Sequence, residues 1–115
     1  MTNLIDHIGP IFRGTDYAEH TKTTVQDLNN QVNNGSLIGI VSRDGTLGLP
    51  AYQFNKDGSV CSWVISAFNV YDKTHQNHLK FSLWVTQPSP LLGNKKPVDM
   101  LRKGLFAPVL ALITR

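Results

Sequence analysis

Several shortages in this sequence each exclude a class of protein. The 115 residues include a single cysteine, Cys61, so an internal disulfide cannot form and a reducing, cytoplasmic setting is expected. The apolar runs fall short of the roughly 20 residues needed to span a membrane. The N-terminal stretch from Met1 to Phe12 carries Asp6 and His7 where a signal peptide would have a basic start and an apolar run, so neither membrane nor export is expected. Charged residues make up only 17%, but hydrophobic residues reach 41%, which separates the chain from disordered polyelectrolytes. A chain this short buries about two-thirds of its unfolded surface, enough for one compact unit with little margin, and a homodimer is expected to add to it.

Residues that carry catalysis are equally sparse. The four histidines (His7, His20, His75, His78) are scattered, and only His75 and His78 have metal-like spacing. With no cysteine or carboxylate set beside them, they read as a solvated helix start. Cys61 lies in an apolar stretch and reads as a small core residue rather than a nucleophile. Gly35, Gly39, Gly45 and Gly48 suit turns and strands and do not form a strand-to-helix phosphate cradle. An enzyme is not expected, nor a metal or any other cofactor.

The charge that is present is unevenly placed. Residues 1–57 hold four basic side chains (Arg13, Lys22, Arg43, Lys56) and six acidic ones, a balance of −2; residues 58–115 hold seven basic and two acidic, a balance of +5. An anionic partner should therefore meet the C-terminal half first.

The order of elements follows from capping and periodicity. Asp16 with Glu19 reads as a capping box opening a short helix to about His20, and Thr23 with Gln26 as a second one. Val25, Leu28 and Val32 share one face of that second helix, and Asn34-Gly35 stops it. Leu37 to Val41, the turn at Asp44-Gly45 and Leu47 to Tyr52 read as a two-stranded hairpin, with Pro50 placing the return strand on an edge. Helix, turn, helix and hairpin together describe a small helix-turn-helix with a β-wing. Beyond Asn55-Lys56-Asp57-Gly58, a helix with Val60, Trp63, Val64, Ala67, Phe68 and Tyr71 on one broad face is expected. A further helix capped by Asp72 or Thr74 ends before Pro88; another starts at Pro97 and stops at Gly104, and a last one runs from about Ala107 to Ile113. The fold class is mainly α with a small hairpin.

For DNA, Gln26, Asn29 and Asn30 are candidate readers of adenine edges, with Thr24 at the helix start. Lys22 and Arg43 are candidate phosphate contacts from the turn and the wing tip. Against this, Thr24 to Asn34 contains Asp27 and no basic residue, which is unusual where counterion release supplies affinity.

The stretch from Leu83 to Gly104 is the most specific. Trp84, Pro88, Pro90, Leu92, Gly93, Lys95, Pro97, Leu101 and Gly104 fall in a pattern that resembles the C-terminal toxin-binding domain of Xre/MbcA/ParS-type antitoxins. Ser89, Asn94 and Lys96 depart from that pattern, standing where the family has Asn, Gly and a small capping residue. Upstream, Pro50-Ala51-Tyr52-Gln53-Phe54 looks like the segment that follows the wing in such proteins. The resemblance implies two modules, a helix-turn-helix with its wing over residues 1–56 and a helical toxin-binding domain over 57–115. It also implies inhibition of a RES-domain, NAD-consuming toxin by binding, with operator DNA as a second partner. The residues it nominates for toxin binding are Trp84, Pro88, Pro90, Leu92, Gly93, Lys95, Lys96, Pro97, Arg102 and Lys103. The alternatives are a DNA-binding regulator without a toxin and a stand-alone interaction module.

Overall fold

The computed structural model describes residues 7–114; the expectation about export rests partly on residues 1–6, which lie outside the described residues. Among the described residues the chain is mainly helical, with six α-helices and one small three-stranded antiparallel sheet. None of these helices is long and apolar enough to cross a membrane.

Strand β1 (Ile11–Arg13) leads directly into helix α1 (Gly14–Thr21). The helix starts two residues earlier than its capping signal, so Asp16 lies in the first turn, where the helix dipole favours it, and does not cap. Gly14 allows that early start, since a Cβ there would lie 3.1 Å from Leu47. At the other end Lys22 adopts a left-handed conformation, φ 58°. The Thr23 N–H donates to the Ala18 carbonyl at 2.9 Å and the Lys22 N–H to Glu19 at 3.3 Å, the bond pair of a Schellman motif. That turn moves the second cap along by one residue: Thr24, not Thr23, accepts from the Asp27 N–H and opens helix α2 (Val25–Asn33). Helix α2 buries Leu28 and Val32 and ends at Gly35, φ 83°, as its sequence predicts.

Strands β2 (Ile40–Val41) and β3 (Leu47–Pro50) form the hairpin around Gly45. Two expectations are corrected here. The sheet has three strands in the order β1-β3-β2, so β3 is central and Pro50 is not on an edge strand. Proline is tolerated because it ends the strand, and the donor toward β1 is the next residue, whose N–H reaches the Pro10 carbonyl at 2.9 Å. The strand expected from Leu37 is also cut to two residues. Here the Gln53 side chain replaces a neighbouring strand: its Oε1 accepts from the Ile38 N–H at 2.8 Å, and its amide N–H donates to the Ile38 carbonyl at 2.7 Å. Gln53 itself ends a 3₁₀ turn, Ala51–Gln53, which takes the place of the last two residues, Ala51 and Tyr52, of the expected strand.

After a turn closed by the Asn55 N–H on the Ser59 carbonyl, helix α3 (Ser62–Tyr71) begins two residues beyond Val60, which instead pairs across the turn with Phe54. Helix α4 (His78–Val85) starts without the side-chain cap expected from Asp72 or Thr74. The Asp72 carboxylate accepts from the backbone of Thr74, Gln76 and Asn77 and organises the loop ahead of the helix. A 3₁₀ turn (Pro90–Leu92), helix α5 (Pro97–Arg102) and helix α6 (Phe106–Ile113) complete the fold.

Two apolar clusters hold these elements. Ala18, Leu28, Val32, Leu37, Leu47, Leu49 and Phe54 pack beneath α1, α2 and the sheet. The larger cluster gathers Val64, Phe68, Phe81, Val85, Leu101 and Val109 from the C-terminal helices, together with Ile38 and Tyr52 from the N-terminal half.

Candidate functional site

Helix α2 turns Leu28 and Val32 inward, and its other side carries Gln26, Asp27, Asn30 and Asn33 to the surface; Asn29 is half-buried. Thr24 is committed to its cap, and the Gln26 amide N–H donates to the Asn30 side-chain oxygen at 3.3 Å, which aligns two amides along one helical face. Lys22 is exposed at the turn before α2, Arg43 at the hairpin tip, and Arg13 at the end of β1. Side-chain bonds close the hairpin tip: Asp44 accepts from the Ser42 hydroxyl and from the Thr46 N–H, and these bonds lower the pKa of its carboxyl to about 2.

The residues from Trp84 to Lys103 span α4, the loop after it and α5. The backbone of Ser89 and Lys95 pairs to close a loop, with Gly93 and Asn94 both left-handed, φ 67° and 63°. Asn94 thus adopts the conformation that a glycine would supply, at the modest cost asparagine bears there. The loop thrusts Leu91 into solvent, 65% exposed, beside exposed Pro88, Pro90, Lys95 and Lys96. Two grooves flank it and share Pro88. One, of about 480 Å³, is lined by Tyr71, Lys80, Leu83, Trp84 and Pro90. The other, of about 360 Å³, is lined by Lys95, Lys96, Asp99, Met100, Lys103 and Leu105.

The nominated residues divide by burial. Pro97 is buried and sets the start of α5; Leu101 is fully buried. Trp84 is half-buried, its ring stacked on Tyr71 with centroids 5.7 Å apart, and Leu92 packs against the larger cluster. Gly93 allows the turn, and Lys95, Lys96, Arg102 and Lys103 are exposed. Arg102 lines a third groove with His7, Lys96 and Asp99. Leu83, Leu91 and Leu105 are exposed apolar residues absent from the sequence-based set; they share no periodic stripe, and the packing of the loop and helices leaves each of them at the surface.

Between the halves runs a polar seam that sequence patterning does not reveal. His78, expected to be solvated, is buried. Its Nε2–H donates to the His75 carbonyl at 2.8 Å, so the Nδ1 is free to accept from the Gly39 N–H at 3.2 Å. Ser82 donates to the His78 carbonyl, and Tyr52 donates its hydroxyl proton to Ser82 at 2.7 Å. The Asn69 amide N–H reaches the Gly35 carbonyl at 2.9 Å. Helices α3 and α4 are thereby bonded to both ends of the segment that joins α2 to β2. Burial lowers the His78 pKa from 6.5, against the opposing pull of the His75 and Val32 carbonyls. Cys61 is buried immediately before α3, its N–H donating to the Gln53 carbonyl. Among the described residues, no three His, Cys, Asp or Glu side chains gather as a metal site requires.

No protein-family model matches the chain, and no curated protein matches it. Its fold is similar to the NMR structure of Rv2175c, with a TM-score of 0.72 over 90% of this chain and 78% of that one, at 19% sequence identity.

Proposed function

We infer that the chain is a DNA-binding regulator of the antitoxin type, with a winged helix-turn-helix in its N-terminal half and a protein-docking surface in its C-terminal half. The observation that carries the DNA reading is the exposed amide face of α2, following the exposed Lys22 and preceding the exposed Arg43 in a hydrogen-bonded hairpin tip. Gln and Asn form paired bonds with adenine in the major groove, while cations at the turn and wing hold phosphates on either side. With Lys22 and Arg43 as its phosphate contacts, one copy gives a salt slope near −2, and a homodimer on two half-sites about −4.

Fluorescence anisotropy on duplex DNA at stepped salt concentrations tests this. Lys22→Gly is the informative variant, because glycine suits the left-handed position and removes only the cation. Lys22→Gly and Arg43→Ala should each flatten the slope by about one per copy, and Asn30→Ala should relax sequence preference. Binding that ignores all three changes rules out this face.

A second activity is favoured by the exposed Leu91 loop and the cations beside it. It is the docking and inhibition of a RES-domain toxin, in which Leu91 is an apolar anchor and Lys95, Lys96 and Lys103 meet an acidic rim. The loop is already closed, so little ordering entropy is lost on binding. Co-purification with a co-expressed RES-domain protein should be abolished by Leu91→Asp and weakened at least about tenfold by Lys95→Glu with Lys96→Glu. Capture that survives Leu91→Asp would falsify the assignment of this loop.

A further inference from the structure

A groove of roughly 620 Å³ opens between β1, α1 and the turn before α3, away from both the α2 amide face and the Leu91 loop. Its wall is aromatic. Phe54 is the floor, with the Phe12 and Tyr17 rings 5.9 and 5.2 Å from it, tilted by 46° and 31°, so the three form a cup rather than a flat stack. Phe12 is 47% exposed, although the sheet uses Ile11, not Phe12, to cover Gly48. Its exposure therefore contributes little to the fold itself.

The rim is charged in one predominant sense. Asp16 from α1 and Asp57 from the turn line the groove, with one ammonium, Lys56, and the His20 imidazole beside them. Asp57 accepts from the Ser59 N–H and hydroxyl, and these bonds hold its carboxyl below the ordinary value, so it is anionic at neutral pH.

Aromatic faces carry negative electrostatic potential, and the two carboxylates add to it, so phosphates and nucleotides are repelled. A small hydrated metal ion gains nothing from rings. An alkylated ammonium on an apolar body fits both features, since its weak hydration is easily surrendered and its methyl groups pack on the cup. We propose that this groove binds a hydrophobic organic cation, seated over Phe12, Tyr17 and Phe54 and balanced by Asp16 and Asp57.

Titration of the full chain with benzyltrimethylammonium at fixed ionic strength, followed by amide NMR, tests the site, with benzyl alcohol as the neutral counterpart. Saturable shifts should centre on Tyr17, Phe54 and Gly58, with the cation bound about tenfold more tightly than the alcohol. Phe12→Ala and Asp16→Asn, both at exposed positions, should each weaken the cation several-fold while keeping the native spectrum. Asp16→Asn decides alone if Phe12→Ala disturbs the fold. Equal affinity for cation and alcohol, or no saturation by about 10 mM, overturns the proposal. Tighter binding of N-acetyl-lysine amide than of benzyltrimethylammonium also overturns it, making the groove a seat for a protein's lysine.

Discussion

His78 shows how one side chain ties a local choice to the whole chain. Its neutral, Nε2-protonated form is the one that accepts from Gly39 and donates to His75, and burial disfavours the cation. As pH falls through 6.5 the unfolded chain takes up a proton at this residue and the folded chain does not, so the unfolded state gains and stability declines. The contribution is complete above pH 6.5 and is lost progressively below it. Urea midpoints measured at pH 7.5 and 5.5 should therefore fall with acidity, and His78→Gln should flatten the dependence in that interval. Asp72, whose carboxyl is held low chiefly by the Thr74 hydroxyl, adds its own loss only below its ordinary 3.8, so the two windows are separable. Nothing near His78 in sequence signals this role, because its acceptor site is met by a backbone group 39 residues away. Gln53 is similar: it follows directly on the strand expected from Leu47 to Tyr52, and only its bonds to the backbone of Ile38, 15 residues away, explain its burial.

Helix ends were legible because their chemistry is local. Gly35 and Gly104 close α2 and α5 with positive φ, Pro97 opens α5, and the polar face of α2 follows from its period. The one-residue shift of the second cap has a local cause too. Lys22 takes a left-handed conformation without being glycine, and this shifts the cap from Thr23 to Thr24. Thr24→Ala should accordingly cost about 1 kcal/mol of unfolding free energy by urea denaturation, with Thr23→Ala costing well under half of that. Equal losses would contradict the assigned cap. The sheet was less legible. β1 has three residues, too few for alternation to register, yet its pairing makes β3 central and places Phe12 against Phe54.

At the scale of the molecule, the larger of the two apolar clusters draws on both halves of the chain. Ile38 and Tyr52 lie in the same cluster as Phe68 and Phe81, and the bonds from Tyr52, Gly39 and Gly35 to α3 and α4 cross the same boundary. Thermal unfolding followed by near- and far-ultraviolet circular dichroism should therefore give coincident transitions. Two resolved transitions would show that the seam contributes little.

The sequence by itself determined the helical character, the positions where helices stop, the hairpin turn and the asymmetry of charge, because each depends on neighbours within a turn or on a sum over residues. Tertiary structure decided what lies on the surface. It buried His78 and Pro97, exposed Leu91 beside Lys95 and Lys96, made β3 the central strand and gathered Phe12, Tyr17 and Phe54 into one cup. Burial and partnership depend on which distant segments pack together, and a local pattern carries no record of that choice.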